Sequence, residues 1–317
     1  DESGATDKET LRRAAKARVN IWGTIVKVAM DAKLTSLVHQ VSSHVLDLKG
    51  WDLVRDKDII LLQVEVNFIH GLACLELLLS KGVSPMPPKT VEVEGIFVGD
   101  ATDELQNKCV SAFIKAMHLG ASVNESWVVM NAATYIWNNY IMLIKNQQYA
   151  DLLPATEPLF AELCKLEDCD PALLGNFAYL VSSGYEHLAF LTVATADGVV
   201  EEERTTDYKT LRLTLATQTF EGSDDLKKAI ETCEAVLTRV DDKNTRRLSA
   251  MHVRLQGLCG IATEVKVEND PVAQVTAIIQ QINQPGKDAK SANEMLSKAM
   301  TLLRPAESEV LGDLEVW

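Results

Sequence analysis

The sequence predicts an all-α protein, an α-solenoid of antiparallel helix pairs in the tetratricopeptide-like style. Three observations predict it. Apolar residues recur at spacings of three and four along almost the whole chain, the period of a helix face, while strand-like alternation is rare. The helical stretches are long and the joins between them short, which favours antiparallel neighbours and stacked pairs. The segment 226–240 carries Ala229, Cys233, Val236 and Leu237 at the small-aromatic-small-apolar spacing of a tetratricopeptide second helix. Cysteine there replaces the usual aromatic, and Asp241 stands where that repeat has proline.

Helices are expected over 8–30, 32–48, 57–80, 101–119, 124–145, 150–166, 171–183, 185–194, 208–220, 224–240, 243–264, 271–283 and 287–303. Asp170-Pro171 and Asp270-Pro271 each set a capping carboxylate before a proline, whose missing N–H costs nothing in a first helical turn. Ser223 followed by Asp224 and Asp225 offers a further cap, with negative charge at the favourable end of the helix dipole. Arg304-Pro305 stops the last helix. Residues 81–100 hold three prolines and three glycines, followed by a Val-Glu alternation that suggests a short extended piece. The expected organisation is therefore helical repeats over 1–80, a proline-containing loop over 81–100 and helical repeats over 101–194. An acidic loop over 195–207, tetratricopeptide-like repeats over 208–304 and a tail or next segment over 305–317 complete it.

The formal charge of −14 over 317 residues argues against broad nucleic-acid binding, because a phosphate backbone would be repelled. No apolar run of about 18 residues stands out, so no membrane span is expected. The six cysteines are scattered without C-x-x-C and read as reduced, mostly buried thiols in an intracellular reducing environment. The chain begins at Asp1 without a methionine, which fits an internal portion of something larger.

Few residues are spaced for chemistry. The six histidines lie far apart, none in H-E-x-x-H and none read as pairing with a cysteine at zinc-ligand spacing, so no metal site is expected. No P-loop, G-x-G-x-x-G, G-x-S-x-G or acidic calcium loop is present, and no cofactor or catalytic residue is assigned. Glu201, Glu202 and Glu203 are a solvated acidic run. An enzyme is not expected.

Two segments offer candidate partner contacts, although each reads first as structural: 11–30 as a solenoid helix with a solvated basic end, 124–145 as a core helix. Residues 11–30 form a basic amphipathic helix with Arg12, Arg13, Lys16 and Arg18 ahead of Trp22, Val26 and Met30, a pattern that suits a calmodulin groove or an anionic surface. Residues 124–145 hold WVVMNAATYIWNN, and on a helical wheel Asn131, Thr134, Asn138 and Lys145 fall on one narrow face with Trp127. Apolar residues take the rest of the wheel, so Trp137 and Tyr140 are expected against neighbouring helices. The candidate partner contacts are thus Trp127, Asn131, Asn138, Arg12, Arg13, Lys16 and Trp22.

These residues carry a family resemblance. Trp127, Val128, Val129, Met130, Asn131 and Ala132 match a pattern of Trp, two aliphatics, a variable residue and Asn-Ala. After them come LFAELCKL at 159–166 and Asp170-Pro171; before them come the Trp-containing stretch 20–38 and residues 65–79 leading to the prolines at 85–88. Residues 223–237 extend the series. In this order, over most of residues 9–260, the chain resembles an internal portion of the cilia- and flagella-associated protein 46 family. Pro154 and Pro158 depart from the continuous helix expected of that family, and imply a kink or a shortened helix.

The resemblance implies a tetratricopeptide-containing scaffold in a projection of the central apparatus of the motile-cilium axoneme, helping to regulate dynein-driven beating. It implies as partners other cilia- and flagella-associated proteins of that projection, with calmodulin and the microtubule as further candidates; the charge and the hydropathy pattern argue against nucleic acid and membrane. The alternative is a soluble tetratricopeptide-like adaptor outside cilia that binds a partner peptide in a concave groove.

Overall fold

A computed structural model describes residues 2–49, 51, 54–83, 85, 92–93, 96–97, 101–196, 208–215, 220, 222–261, 271–283 and 289–303. Among them helices dominate. In order they are α1 (Glu2–Asp31), α2 (Thr35–Leu46), α3 (Lys57–Ser80), α4 (Ala101–Ser122), α5 (Ser126–Asn139), α6 (Ile141–Lys145) and α7 (Tyr149–Lys165). Then follow α8 (Pro171–Ala196), α9 (Tyr208–Leu215), α10 (Asp224–Glu234), α11 (Asp242–Leu258), α12 (Pro271–Asn283) and α13 (Ala289–Leu303). One small exception qualifies the all-α reading: β1 (Glu92–Val93) pairs antiparallel with β2 (Ile96–Phe97) inside the segment expected to be extended.

Local chemistry explains many boundaries. Asp170 accepts the Leu173 N–H at 2.7 Å, Ser223 accepts that of Leu226 at 3.4 Å, and Asp241 accepts that of Asn244 at 2.9 Å, so three helix starts have side-chain caps. Asp270 lies outside the described residues, though α12 does begin at Pro271. At the other ends one motif recurs. The N–H groups of Leu34, Val83, Glu125, Gln148 and Ile261 each reach back to the carbonyl five residues earlier, and the residue before each has positive φ. Glycine fills that position at Gly82 and Gly260, whereas Lys33, Asn124 and Gln147 each hold φ 56°. A side chain in this region costs about 1 kcal/mol, which the recovered carbonyl bonds offset.

Several expectations change, among them that the helix expected over 243–264 ends at Leu258. Residues 124–145 are two helices, not one, because α5 closes at Tyr140. Residues 171–194 are one helix, not two, because α8 runs straight through Gly184. The helix expected over 224–240 ends at Glu234 and gives way to turns. Finally, α7 runs unbroken through Pro154 and Pro158, although each proline removes a backbone donor.

The chain divides into two compact units: residues 1–142 with 154–169, and residues 143–153 with 170–317. In unit 1, α3 is central and packs against α1, α2, α4 and α5. By length and composition α3 is apolar enough to cross a membrane, contrary to the reading of the sequence alone. Here it serves as the core helix, with Val64, Val66, Ala73 and Leu78 buried. Val19, Val26, Val38, Val45 and Ile59 fill the space between α1, α2 and α3. Phe68, Phe113 and Tyr135 form an aromatic cluster joining α3, α4 and α5, with Phe113 and Tyr135 stacked at 5.2 Å. Gly120 lets α5 approach α4, since a Cβ there would stand 2.4 Å from the Val128 Cβ.

In unit 2, α8 packs against α9, α10 and α11, α10 packs against α11, and α12 bridges α11 and α13. Phe177, Leu226, Ala229, Leu248 and Leu255 are all buried there. Of the tetratricopeptide-spaced residues, Ala229, Cys233 and Val236 are buried and Leu237 is intermediate. None of the six cysteines is disulfide-bonded, and three are buried.

Candidate functional site

In unit 1, α1, α3 and α5 border an open groove of about 670 Å³. Its walls combine apolar and polar groups, among them Leu62 and Ile69 of α3, Asn20 of α1, and Trp127, Asn131 and Tyr135 of α5. Lys27 of α1 and Glu65 of α3 also line it and form an ion pair at 2.5 Å. Such a mixture, apolar patches with fixed polar groups, is the composition of a surface that can take a ligand or a partner segment.

The wheel placed α5 well. Trp127, Asn131, Thr134 and Asn138 are all exposed, while Val128, Val129, Ala132, Ala133 and Ile136 are buried. Trp127 is 48% exposed; its indole N–H donates to Glu125 Oε2 at 2.6 Å, and Lys57 pairs with the other carboxylate oxygen at 2.6 Å. Those two bonds, the Lys57 one foremost, hold the Glu125 carboxyl below the usual range. The indole is therefore held in orientation while about half of the residue stays exposed. Asn138 is exposed but does not line the groove. Tyr140 is buried as expected, whereas Trp137 is only partly so.

The basic end of α1 is used within the unit. Arg12 and Lys16 both hold Asp56, at 2.5 and 2.8 Å, and Arg13 pairs with Glu9 at 3.2 Å. The Lys16 hydrogen bond leads in lowering the Asp56 pKa. Asp56 stands at the start of α3 but makes no cap with its side chain, because both carboxylate oxygens are turned to α1. Trp22 is partly buried and packs edge-on against His44 at 5.0 Å. The seven sequence-derived contacts thus do not form one site: Trp127 and Asn131 meet at the groove, Arg12, Lys16 and Trp22 serve the junction of α1 with α2 and the start of α3, and Arg13 pairs within α1. Residues missed by sequence reasoning include Lys27 and Glu65, whose link to Trp127 is tertiary, and Tyr135, which the wheel leaves among the apolar residues although it stands two turns from Trp127 on α5 and lines the same groove.

Two buried polar clusters also escaped it. In unit 2, Glu186 of α8 is fully buried and accepts from Arg254 of α11 at both oxygens, at 3.0 and 2.6 Å, and from the Tyr208 hydroxyl at 2.5 Å. Burial raises the Tyr208 pKa well above its ordinary value, with Glu186 adding to it. Burial lowers that of Arg212, reinforced by Arg254. Paired and enclosed, this cluster has the character of a structural core.

In unit 1, His39 and Ser42 of α2 meet His70 and Cys74 of α3. Against the expectation of no histidine–cysteine ligand pair, His70 Nε2 lies 3.7 Å from Cys74 Sγ, one helical turn along the same face. Burial lowers the His70 pKa to about 4 and raises the Cys74 thiol to about 12, so both are neutral at pH 7. Among the described residues this is the one group whose donor atoms could hold a metal ion.

Comparison with known proteins gives one informative likeness. Over 199 residues, 60% of this chain, it is 28% identical to cilia- and flagella-associated protein 46 of Chlamydomonas reinhardtii. The chain is similar to a part of that protein. It spans 7% of the length of the curated relative it matches. No family profile matches the chain, and no solved structure does. The likeness agrees with the ordered series of motifs found in the sequence.

Proposed function

We propose that this chain is a scaffold segment of a cilium- or flagellum-associated protein, built as a stack of helix pairs. The observation that carries the reading is the 199-residue likeness to cilia- and flagella-associated protein 46. The packing supports the architecture: α3 contacts α1 and α5 as well as its chain neighbours, as the first helices of successive stacked pairs do. In such a stack α1, α3 and α5 share one face, and that is the face bearing the groove with Trp127 and Asn131. The buried ionisable groups are paired or held neutral inside the helical core, which supports a structural role over a catalytic one.

The finer proposal is a place in a central-apparatus projection of the motile axoneme, where the protein helps regulate dynein-driven beating by holding cilia- and flagella-associated partners. Calmodulin and the microtubule are the other proposed contacts. Imaging of the tagged full-length protein in ciliated cells tests it: signal along the axoneme is expected, retained after detergent extraction. A diffuse cytosolic signal, absent from axonemes, would overturn the ciliary reading and leave the adaptor reading. The groove favours that second reading independently, because it could seat an extended or helical peptide in any compartment.

A further inference from the structure

We propose that His39, His70 and Cys74 form a zinc-binding site between α2 and α3, with Ser42 as its positioning residue. One donor atom from each of the three lies within 4.8 Å of the others. His70 and Cys74 are four apart on α3, and His39 lies against them from α2, its ring stacked on His70 at 5.2 Å and 18°. A tetrahedral zinc ion needs nitrogen at about 2.0–2.1 Å and sulfur at about 2.3 Å, which sets neighbouring donors roughly 3.5 Å apart. The 3.7 Å between His70 Nε2 and Cys74 Sγ already meets that spacing. A movement of His39 by about 1 Å supplies the third ligand.

Ser42 gives the cluster a direction. Its Oγ lies 2.8 Å from His70 Nδ1 and 3.2 Å from the His39 carbonyl. The hydroxyl has one hydrogen, and the carbonyl can only accept, so Ser42 donates to His39 and accepts from His70. His70 then carries its proton on Nδ1 and turns the Nε2 lone pair toward Cys74. Fixing one imidazole nitrogen so that the other faces the metal is the usual task of a group supporting a zinc ligand. The Ser42 side chain is itself fully buried, so solvent does not compete for it.

Two further observations separate this cluster from an ordinary buried histidine. His39 Nε2 is a buried nitrogen without a hydrogen-bond partner, a state that costs about 1–3 kcal/mol unless something engages it. And His39 lines an open cleft of about 310 Å³ with Ser36, Gln40, Glu104 and Lys108. The cleft offers an entry path and room for water as a fourth ligand, which a site with three protein ligands requires. Lys81 and Lys108 both line it and oppose a dication; Glu104 pairs with Lys108 at 2.6 Å and offsets one of the two charges. Imidazole with thiol selects zinc over magnesium or calcium, which take oxygen ligands. On binding, the Cys74 S–H bond breaks, its proton passes to water, and a zinc–thiolate bond forms without change of oxidation state.

The test uses the full chain, stripped with a chelator and titrated with Zn²⁺, then with Co²⁺ as an optical probe. One zinc per chain is expected, together with a thiolate-to-cobalt charge-transfer band. Cys74→Ser should abolish the band, His39→Gln should weaken zinc binding at least 10-fold, and Ser42→Ala should weaken it about 10- to 100-fold. Because Cys74→Ser could disturb packing, circular dichroism of each variant accompanies the titration, and His39→Gln, which alters a partly exposed residue, serves as the second variant. No stoichiometric binding, or binding and a cobalt band unchanged in a folded His39→Gln, would overturn the proposal.

Discussion

The two units each bury a polar cluster, and they solve the problem differently. In unit 2 the cluster is charged and closed: Glu186 of α8 receives two guanidinium bonds from Arg254 of α11 and one hydroxyl bond from Tyr208 of α9, so its three members come from three helices. In unit 1 the cluster is neutral and open: two imidazoles, a thiol and a hydroxyl share few hydrogens, and one nitrogen has no partner. A closed ion pair fixes how three helices meet but leaves no valence for anything else. An open neutral cluster gives less cohesion and keeps donor atoms in reserve. Buried polarity alone therefore says little about function; the surplus of unused donors is what distinguishes a binding site from a strut.

The largest expected effect breaks the closed side. Glu186→Gln removes the carboxylate charge while keeping its shape, leaving Arg254 buried beside Arg212 without its counter-charge. Breaking a buried pair in this way costs about 3–5 kcal/mol. Urea unfolding followed by hydrogen exchange of the α8 and α11 amides would show it in unit 2. A loss below about 1 kcal/mol would mean that water already screens the network, and that the cluster is not closed.

The open side should instead show in acid. His70 has its pKa lowered to about 4, first by burial and then by its neighbours His39, Lys108 and Lys115, against about 6.5 when unfolded. Between these values the unfolded chain binds a proton that the folded chain refuses. The stabilisation is therefore full above about pH 6.5 and is lost as pH falls toward 4, by about 3 kcal/mol for the metal-free protein. Four of the five tryptophans, Trp22, Trp51, Trp127 and Trp137, belong to unit 1, so their fluorescence reports its unfolding. The slope of stability with pH should flatten in His70→Gln. An equal slope in both would remove His70 as its source.

Neither cluster was legible in the sequence, and the reason is physical. The starts at Asp170 and Ser223 were readable because a cap and its N–H lie three residues apart. The exposed face of α5 was readable because helical period alone sorts Asn131, Thr134 and Asn138 from Val128 and Ile136. By contrast, Glu186 and Arg254 are 68 residues apart, and His70 and Ser42 are 28 apart, so only tertiary packing brings them together. Gly184 shows the same limit from the other side. It lies within what was expected to be a break, yet α8 continues through it, because the missing Cβ admits Leu153 and the Tyr149 carbonyl, which a Cβ would meet at 2.9 and 3.1 Å. Trp127 and Asn131 on the α5 wall of the groove could be anticipated; Lys27 and Glu65 on its other walls could not. His70 and Cys74 are the exception, since a His and a Cys four apart on an apolar helix are a readable ligand pair.

The smallest expected effect compares the two clusters directly, one hydroxyl for another. Tyr208→Phe and Ser42→Ala each delete a single buried oxygen, and Phe keeps the ring packed edge-on to Tyr149 at 5.1 Å. In unit 2 the Glu186 carboxylate retains both Arg254 bonds after the deletion, so the loss should be about 1 kcal/mol. In unit 1 the deletion takes the Ser42 bond from the buried His70 Nδ1 and frees the ring to change tautomer, so the metal-free protein should lose about 2 kcal/mol. The bond to an ionised acceptor is the stronger of the two in isolation, yet its loss should be the milder, because a closed network shares the consequence among several bonds. Denaturation midpoints of the two variants decide it: if Tyr208→Phe costs more than Ser42→Ala, redundancy is not what separates the two clusters, and the strength of the individual bond governs instead.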